Sequence, residues 1–445
     1  MADQGSAPSV VRATAPAASA AYQLEWAREW VRDRFWVIPS ALLVLGTALA
    51  VATVEAAHLG IPHGWRSGFA ADPGKASGFL GIIASATLTF LGVVFTLTLV
   101  ALQLASSQLS PRVLRTFVRS GVTKAAFGIL LATFSYSVTV LVISGGRNGE
   151  ADSRAVTVAM LLVAASLIIF VWYVSATMEL LQVVSVIAAV ASQTRAAISD
   201  RCPPASVYRP AAAPVLLASA AVIRLPVGQG RRGRGVRGAP GRILGIDDGR
   251  LVMLARRYDC VLELTVRVGE FVPGGGPIAL AHGGTVPAPA VVAGINFGRG
   301  RTLYQDPAYG MRQLADIAVQ ALSPAVNQPT TAVLVIDSLE DILLRIARRP
   351  AATGLFADHH GIVRLIEPAM TWDGYLDLAF TEITTYGASS PQIARRLLAA
   401  YAVLETATGP AARPGLAARR DELARLAAAS GIGPATLRAD PMGLG

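Results

Sequence analysis

Four stretches of the chain, 35–57, 79–104, 125–143 and 156–178, are apolar and almost free of charge. Runs of about 19–26 such residues predict helices that cross a ~30 Å hydrocarbon layer at 1.5 Å rise per residue. Pro39 falls in the first turn of the first run, where a missing N–H costs least. Ahead of it, Glu25–Arg34 reads as an interfacial turn that sets Trp26, Trp30 and Trp36 at headgroup level. From Val156 to Ile198 there is neither glycine nor proline, which predicts one helix running past the membrane as a stalk. Its Leu180, Val184, Ile187 and Ala191 recur every 3.5 residues on average, the spacing of a short coiled-coil seam. That seam packs either between subunits or against the protein's own domain.

Beyond Pro203–Pro204 the pattern changes. Residues 200–241 are rich in Pro, Ala, Gly and Arg and read as a connector. Arg242–Ile246 reads as a strand, and Asp247 or Asp248 can cap a helix over Arg250–Tyr258. Val261–Val268 alternates as a strand. It turns through a glycine-rich stretch into Ile278–Ala281, in the shape of a half barrel-sandwich hairpin. After Phe297 the spacing is helical: Asp306–Pro307 is an N-cap with proline at N1, and a second helix starts near Pro329. A strand at Ile362–Ile366 and helices near 373–386, 391–408 and 415–429 follow. The expected fold is an α-helical membrane domain of four transmembrane helices plus a cytoplasmic α+β domain at 242–430. In that domain a small β hairpin, barrel-sandwich-like, precedes a helical part. Residues 1–24 and 431–445 read as tails, the first of them disordered, and 25–199 as the membrane domain with its stalk.

Composition agrees with the pattern: 53% of residues are hydrophobic, only 15% are charged and the mean hydropathy is +0.49. The net charge of +10 comes from arginine, since Lys75 and Lys124 are the only lysines. A C-terminal domain without lysine cannot form a Schiff base, carry biotin or lipoate, or use a P-loop lysine. Cys202 and Cys260 form no C-x-x-C pair, and His359–His360 after Asp358 reads as a polar turn. Arg28, Arg32 and Arg34 precede the first span; Arg112, Arg115, Arg119 and Lys124 follow the second. The other two connections have two basic residues each, offset by Asp72, Glu150 and Asp152. Positive-inside therefore places both termini in the cytoplasm.

The second span holds the most unusual face. Ser85, Thr89, Gly92, Thr96, Gln103 and Ser107 recur at three-, four- and seven-residue steps. Such a face permits close helix packing or, in a homo-oligomer, lines a polar path. No span has an ionisable residue near its middle, which argues against proton-coupled transport and voltage sensing. Arg112, Arg115 and Arg119 lie on one side of a short helix after Ser110–Pro111 and face anionic lipid headgroups. The loop with Arg231, Arg232, Arg234 and Arg237 has no interleaved aromatic residue, so no nucleic-acid partner is expected.

In the C-terminal domain the densest polar cluster is Arg299, Arg301, Gln305, Asp306, Arg312, Asp316, Asn327, Thr330 and Thr331. One reading is a network of caps and pairs fixing a helical hairpin. The other is an anion pocket at helix N-termini, lined by Arg299, Arg301 or Arg312. No nucleophile–base set, metal cluster or phosphate loop is recognisable, and no enzyme activity or cofactor is expected. The leading expectation is a channel-like assembly for passive movement, gated by its cytoplasmic domain. The alternative is a membrane-anchored sensor or scaffold that binds an anionic ligand or a protein.

Two long motifs carry a resemblance. Val94-Phe-Thr-Leu-Thr-Leu-Val-Ala-Leu-Gln-Leu-Ala-Ser-Ser-Gln-Leu-Ser-Pro-Arg and Gln305-Asp-Pro-Ala-Tyr-Gly-Met-Arg-Gln-Leu-Ala-Asp-Ile-Ala…Ala-Leu-Ser-Pro resemble a bacterial domain-of-unknown-function family of integral membrane proteins. The resemblance spans about residues 30–405. It implies the same topology and a multi-pass place in the cell membrane; it implies no activity, cofactor or catalytic residue. The family's second motif continues Ser-Pro-Gly-Ile-Asn-Asp-Pro-Thr-Thr-Ala. This chain departs from it at Ala325, Val326 and Gln328, which removes any carboxylate role at Gln328.

Overall fold

The computed structural model describes residues 9–12, 34–58, 73–108, 121–145, 153–180, 182–202, 204, 206, 208–210, 220–226, 240–298, 300–350 and 352–437. The chain forms two compact units, Trp26–Ser185 and a second built from Met1–Glu25 with Val186–Gly445.

The first unit holds α1 (Val37–His58), α2 (Pro73–Gln108), α3 (Gly121–Gly145) and α4 (Ser153–Leu180). Each is long and apolar enough to cross a membrane, over Val37–Ala56, Ala76–Gln103, Gly121–Ser144 and Arg154–Glu179. Half of the α3 window is buried against 17% for α1, so α3 is the central helix. Small residues bring it close to α1: a Cβ on Gly46 would sit 2.5 Å from the Ala132 carbonyl oxygen, and one on Gly128 would collide with Leu42. Hydroxyls tie the bundle across. Tyr136 donates to the Ala155 carbonyl (3.2 Å), Tyr173 pairs with Thr98 (2.7 Å) and Thr133 with Ser166 (3.0 Å). In hydrocarbon such bonds average roughly 0.6 kcal/mol each.

The helix expected to run unbroken from 156 to 198 is two helices. α4 stops at Leu180 and α5 spans Val183–Arg201. The Gln182 N–H closes on the Glu179 carbonyl (3.1 Å), an i→i−3 bond that tightens the last turn and takes the donor a regular turn would use. No glycine or proline announces that break.

Among the described residues the second unit carries ten short strands: β1 (Ser9–Arg12), β2 (Tyr208–Pro210), β3 (Ala221–Arg224), β4 (Gly241–Ile246), β5 (Val261–Leu264), β6 (Phe271–Val272), β7 (Pro277–His282), β8 (Ile295–Gly298), β9 (Leu355–Ala357) and β10 (Val363–Ile366). They form a seven-stranded sheet, β2-β1-β9-β10-β5-β7-β3, and a three-stranded sheet, β6-β4-β8. β5 and β7 pair antiparallel as the expected hairpin, while the turn between them gives β6 to the smaller sheet. α6 (Asp248–Arg257) packs Leu251, Val252 and Ala255 into the core with Ile243, Leu262, Ile278 and Leu365.

Two expectations are corrected here. Ser9–Arg12, read as part of a disordered tail, pairs antiparallel with β2 and parallel with β9. The stretch read as connector contributes β2 and β3. Three or four residues are too few for a period of two to stand out among Ala and Pro, and the partners that fix these strands lie far along the chain.

After the short α7 (Ala288–Val292), the helical part is α8 (Pro307–Ala321), α9 (Pro329–Ala347), α10 (Trp372–Leu376), α11 (Glu382–Gly387), α12 (Pro391–Ala407) and α13 (Arg413–Ala429). A π-turn, Asp377–Thr381, joins α10 to α11. α5 packs on this layer inside its own unit. Ile187 and Ala191 are buried, Val184 is 58% exposed, Thr194 lies against Gly310, and Arg195 pairs with Asp341 at 3.2 Å. The Trp26–Trp30 turn, the Arg112, Arg115 and Arg119 segment and the 231–237 loop lie outside the described residues.

Candidate functional site

The C-terminal end of α5 is stopped by Pro203–Pro204, and its last residue, Arg201, turns between two carboxylates. Nη1 donates to Asp248 Oδ2 at 2.9 Å and Nη2 to Glu367 Oε2 at 2.7 Å. Asp248 opens α6, which Asp247 caps by accepting the Arg250 N–H (3.0 Å). Glu367 follows β10, held by its own N–H on the Gly354 carbonyl (2.8 Å). Gly354 has φ +66°, and a Cβ there would collide with the Glu367 carbonyl oxygen, so only glycine lets the two segments approach.

These groups line a cavity of about 430 Å³. A second ion pair forms another part of its wall. Arg301 grips Asp306 bidentately, Nε to Oδ2 at 2.8 Å and Nη2 to Oδ1 at 2.9 Å, and lies 5.0 Å from the centre of the Tyr309 ring. Asp306 also caps α8 through the Tyr309 N–H (3.0 Å). Gln305, at φ +55°, clamps β4: its Oε1 accepts the Ile246 N–H (2.9 Å) and its Nε2 donates to the Ile246 carbonyl (3.2 Å). A non-glycine residue in this region costs roughly 1–3 kcal/mol, offset by the paired bonds. The turn at Gly269 (φ +89°) lies directly on the Arg301–Asp306 pair, leaving no room for a Cβ.

The electrostatics are uneven. Arg201, Arg242, Arg267 and Arg301 line the cavity beside Asp200, Asp248, Glu270, Asp306 and Glu367, so four guanidiniums meet five carboxyl groups. Burial pushes the Asp248 carboxyl well above the usual range; the neighbouring Glu367 adds to this and Arg201 opposes it. Burial alone would lower the Arg201 guanidinium, but the fields of Glu367, Asp248 and Asp200 prevail and hold it charged. The Cys202 thiol is pushed up by burial, against the pull of Arg349 and Arg201 and a hydrogen bond with Tyr375. It is therefore a protonated thiol at neutral pH, without nucleophilic character.

The sequence-selected cluster is divided. Arg301, Gln305 and Asp306 stand on the cavity wall. Arg312 lies away from it, bonded to Asp316 (3.0 Å) and to a second partner, Glu382 (2.8 Å). Asn327, Thr330 and Thr331 are not with Asp306. They sit beyond the far end of α8, about 22 Å along a helix of 15 residues, because the start of α9 meets the end of α8 in an antiparallel hairpin. Asn327 and Thr330 are exposed, and Thr331 touches only Gln328 at 3.4 Å among the contacts described. Arg299 lies outside the described residues.

In α2, Ser85, Thr89, Gly92, Thr96 and Gln103 are exposed. The side packed on the other helices is instead Leu80, Ile83, Ala84, Thr87, Val94 and Ala101. Ser85 donates to the Gly81 carbonyl (2.9 Å), Thr89 to Ser85 (3.0 Å) and Thr96 to Gly92 (2.9 Å). The Ser107 side chain lies outside the described residues.

Sequence reasoning missed Arg201, Glu367, Cys202 and Tyr375, and saw Asp248 only as a cap. The one local signal was Asp247–Asp248: one aspartate caps α6, which leaves the other without that task.

A bundle of apolar helices joined to an α+β domain built around an ionic cavity defines a membrane protein with an appended domain. The chain belongs to the family described as predicted membrane protein, DUF2254, whose model matches residues 32–403. Similar proteins include uncharacterized proteins of Mycobacterium bovis and Mycobacterium tuberculosis. Each is 28% identical over 386 residues, covering 83% of this chain and 71% of the relative. No solved structure gives a significant match.

Proposed function

We propose that the chain is a membrane-anchored binding protein. Its four helices hold the α+β domain at the bacterial cell membrane, both termini are cytoplasmic, and the domain receives a small ligand in the Arg201 cavity. The observation that carries this reading is an ion cluster facing a cavity of about 430 Å³, within the usual size of small-molecule sites. Two carboxylate oxygens of that cluster, Asp248 Oδ1 and Glu367 Oε1, have no hydrogen-bond partner. A non-enzymatic role fits the Cys202 thiol, which burial pushes up and so keeps protonated. The passive-path reading rests on the outward face of α2. On that face the Ser85, Thr89 and Thr96 hydroxyls already donate to carbonyls of their own helix, without water.

The test is a thermal-shift screen of the full chain in lipid nanodiscs against small charged and polar organic probes. Ala308→Trp, which adds bulk at a lining residue outside the ion pairs, serves as the control. Wild type should be stabilised by some probes and Ala308→Trp by none. Ion conductance in liposomes, with no probe ever shifting the wild type, would reverse the choice between the two readings.

A further inference from the structure

One guanidinium stands between two carboxyl groups on the cavity lining. Arg201 Nη1 takes Asp248 Oδ2 and Nη2 takes Glu367 Oε2, which leaves Asp248 Oδ1 and Glu367 Oε1 unpartnered. Glu367 is only 8% exposed, and it lines the cavity with Asp248. A buried acceptor without a donor costs about 1–3 kcal/mol, and an unpaired buried negative charge costs more. Something carrying one positive charge and a hydrogen must stand beside these oxygens. Arg201 brings one positive charge to two carboxyl groups, and a hydrogen on Asp248, the carboxyl that burial and Glu367 push upward, would be accepted by Glu367. Elsewhere on the lining three arginines face three carboxyl groups, so the cavity's excess of carboxyl groups over arginines is that of this pair. Arg301 is spent on Asp306 and Arg201 on the pair itself, so an anion would find these guanidiniums already engaged.

We infer that the cavity takes a small organic cation, whose ammonium or guanidinium head replaces the hydrogen between Asp248 and Glu367. The inference rests on the reading of the cavity as a ligand site and names its ligand class. The exchange balances: the Asp248 O–H bond breaks, the proton leaves to solvent, and the N–H donors of the cation take its place between the two carboxylates. Tyr208, Phe356 and Tyr375 supply an apolar and π-rich wall for the body of such a ligand. The charged and titratable neighbours of the pair on the cavity lining are Arg201, Asp200, Cys202, Tyr375 and the Arg301–Asp306 pair.

The experiment uses the full chain in detergent micelles, with butylammonium and butylguanidinium chloride as probes. Sodium butyrate is the opposite-charge control and sodium chloride the ionic-strength control. Calorimetric titration in two buffers of different ionisation heat counts protons. The expected result is cation binding with release of about one proton at neutral pH, and affinity falling about tenfold per pH unit on acidification. Asp248→Asn and Glu367→Gln should each abolish both effects. Asp248→Asn should melt no lower than wild type, because the amide N–H stands in for the shared hydrogen. Cation binding without proton release, or undiminished in Asp248→Asn, overturns the exchange. Binding of butyrate in place of the cations overturns the charge assignment while leaving the cavity a ligand site. Silence from every probe, with Ala308→Trp indistinguishable from wild type, overturns this inference and the functional reading beneath it.

Discussion

Asp248 makes the stability of the second unit depend on pH in an unusual direction. Burial and the proximity of Glu367 raise its folded-state pKa, whereas in the unfolded chain it titrates near an ordinary aspartate, about 3.9. The folded state therefore holds a proton that the unfolded state has lost. The stability from this group is complete below the unfolded value and is lost as pH rises toward and through the folded one. Within that window the slope is about −1.4 kcal/mol per pH unit. Asp248→Asn carries a permanent hydrogen in the same place and has no proton to lose. The stability of the variant relative to wild type should therefore climb by up to that slope, about 3–5 °C in Tm per pH unit for a domain of this size. Other groups pull the opposite way. Burial alone would raise Asp358, but hydrogen bonds from the Ile362 and His360 N–H groups and from Arg364 lower it. Its contribution is lost as pH falls through its folded value. That contribution is common to both proteins and cancels in their difference. The assay is thermal unfolding of both proteins from pH 5 upward (about the upper edge of ordinary carboxylate titration), with Tm taken as a difference at each pH. A difference that stays flat with pH would show that no proton is held at Asp248.

Four further predictions rest on the geometry and on the arginine pattern of the sequence. Gly46→Leu should cost about 1–3 kcal/mol through overpacking, read as lost thermal stability in detergent, since its Cβ meets the Ala132 backbone at 2.5 Å. Gly92→Leu has nothing within 4 Å and should cost nothing, so a loss there would reveal a second molecule covering that face. Arg312→Leu should lower Tm by the equivalent of about 1–2 kcal/mol, because Asp316 and Glu382 lose their shared partner; an unchanged Tm would contradict a structural role. Cysteines at Ser67 and Ser153 should label with an impermeant thiol reagent in intact cells and one at Ser110 should not, and the reverse pattern would overturn the arginine argument for topology.

What the sequence made legible was whatever a single segment decides alone. The four apolar runs, the strand at Arg242–Ile246, the cap before α6 and the Asp306–Pro307 start of α8 each follow from residues within one or two turns of one another. The structure reproduces them with small changes at the ends. The features that escaped depend on partners far along the chain. Ser9–Arg12 is a strand only because β9 and β2 offer edges to it. Arg201, Asp248 and Glu367 have no common spacing, and they meet because a helix end, a helix start and a strand end converge. The polar cluster read from 299–331 mixed two ends of a hairpin, since density of polar residues along the chain does not tell which end of a helix each one occupies.

One strand constrains how the whole chain must be threaded. β1 precedes every apolar helix, while the other strands of its sheet follow the last of them, so the membrane unit is an insertion inside the second unit. The sheet can close only if Ser9–Arg12 and β9 lie on the same side of the bilayer, and that demands an even number of crossings between them. Four satisfies it; a chain that skipped one crossing would strand β1 across the membrane and leave β2 and β9 without the strand between them. The pairing of β1 with both β2 and β9 thus fits an even number of crossings on grounds independent of any arginine.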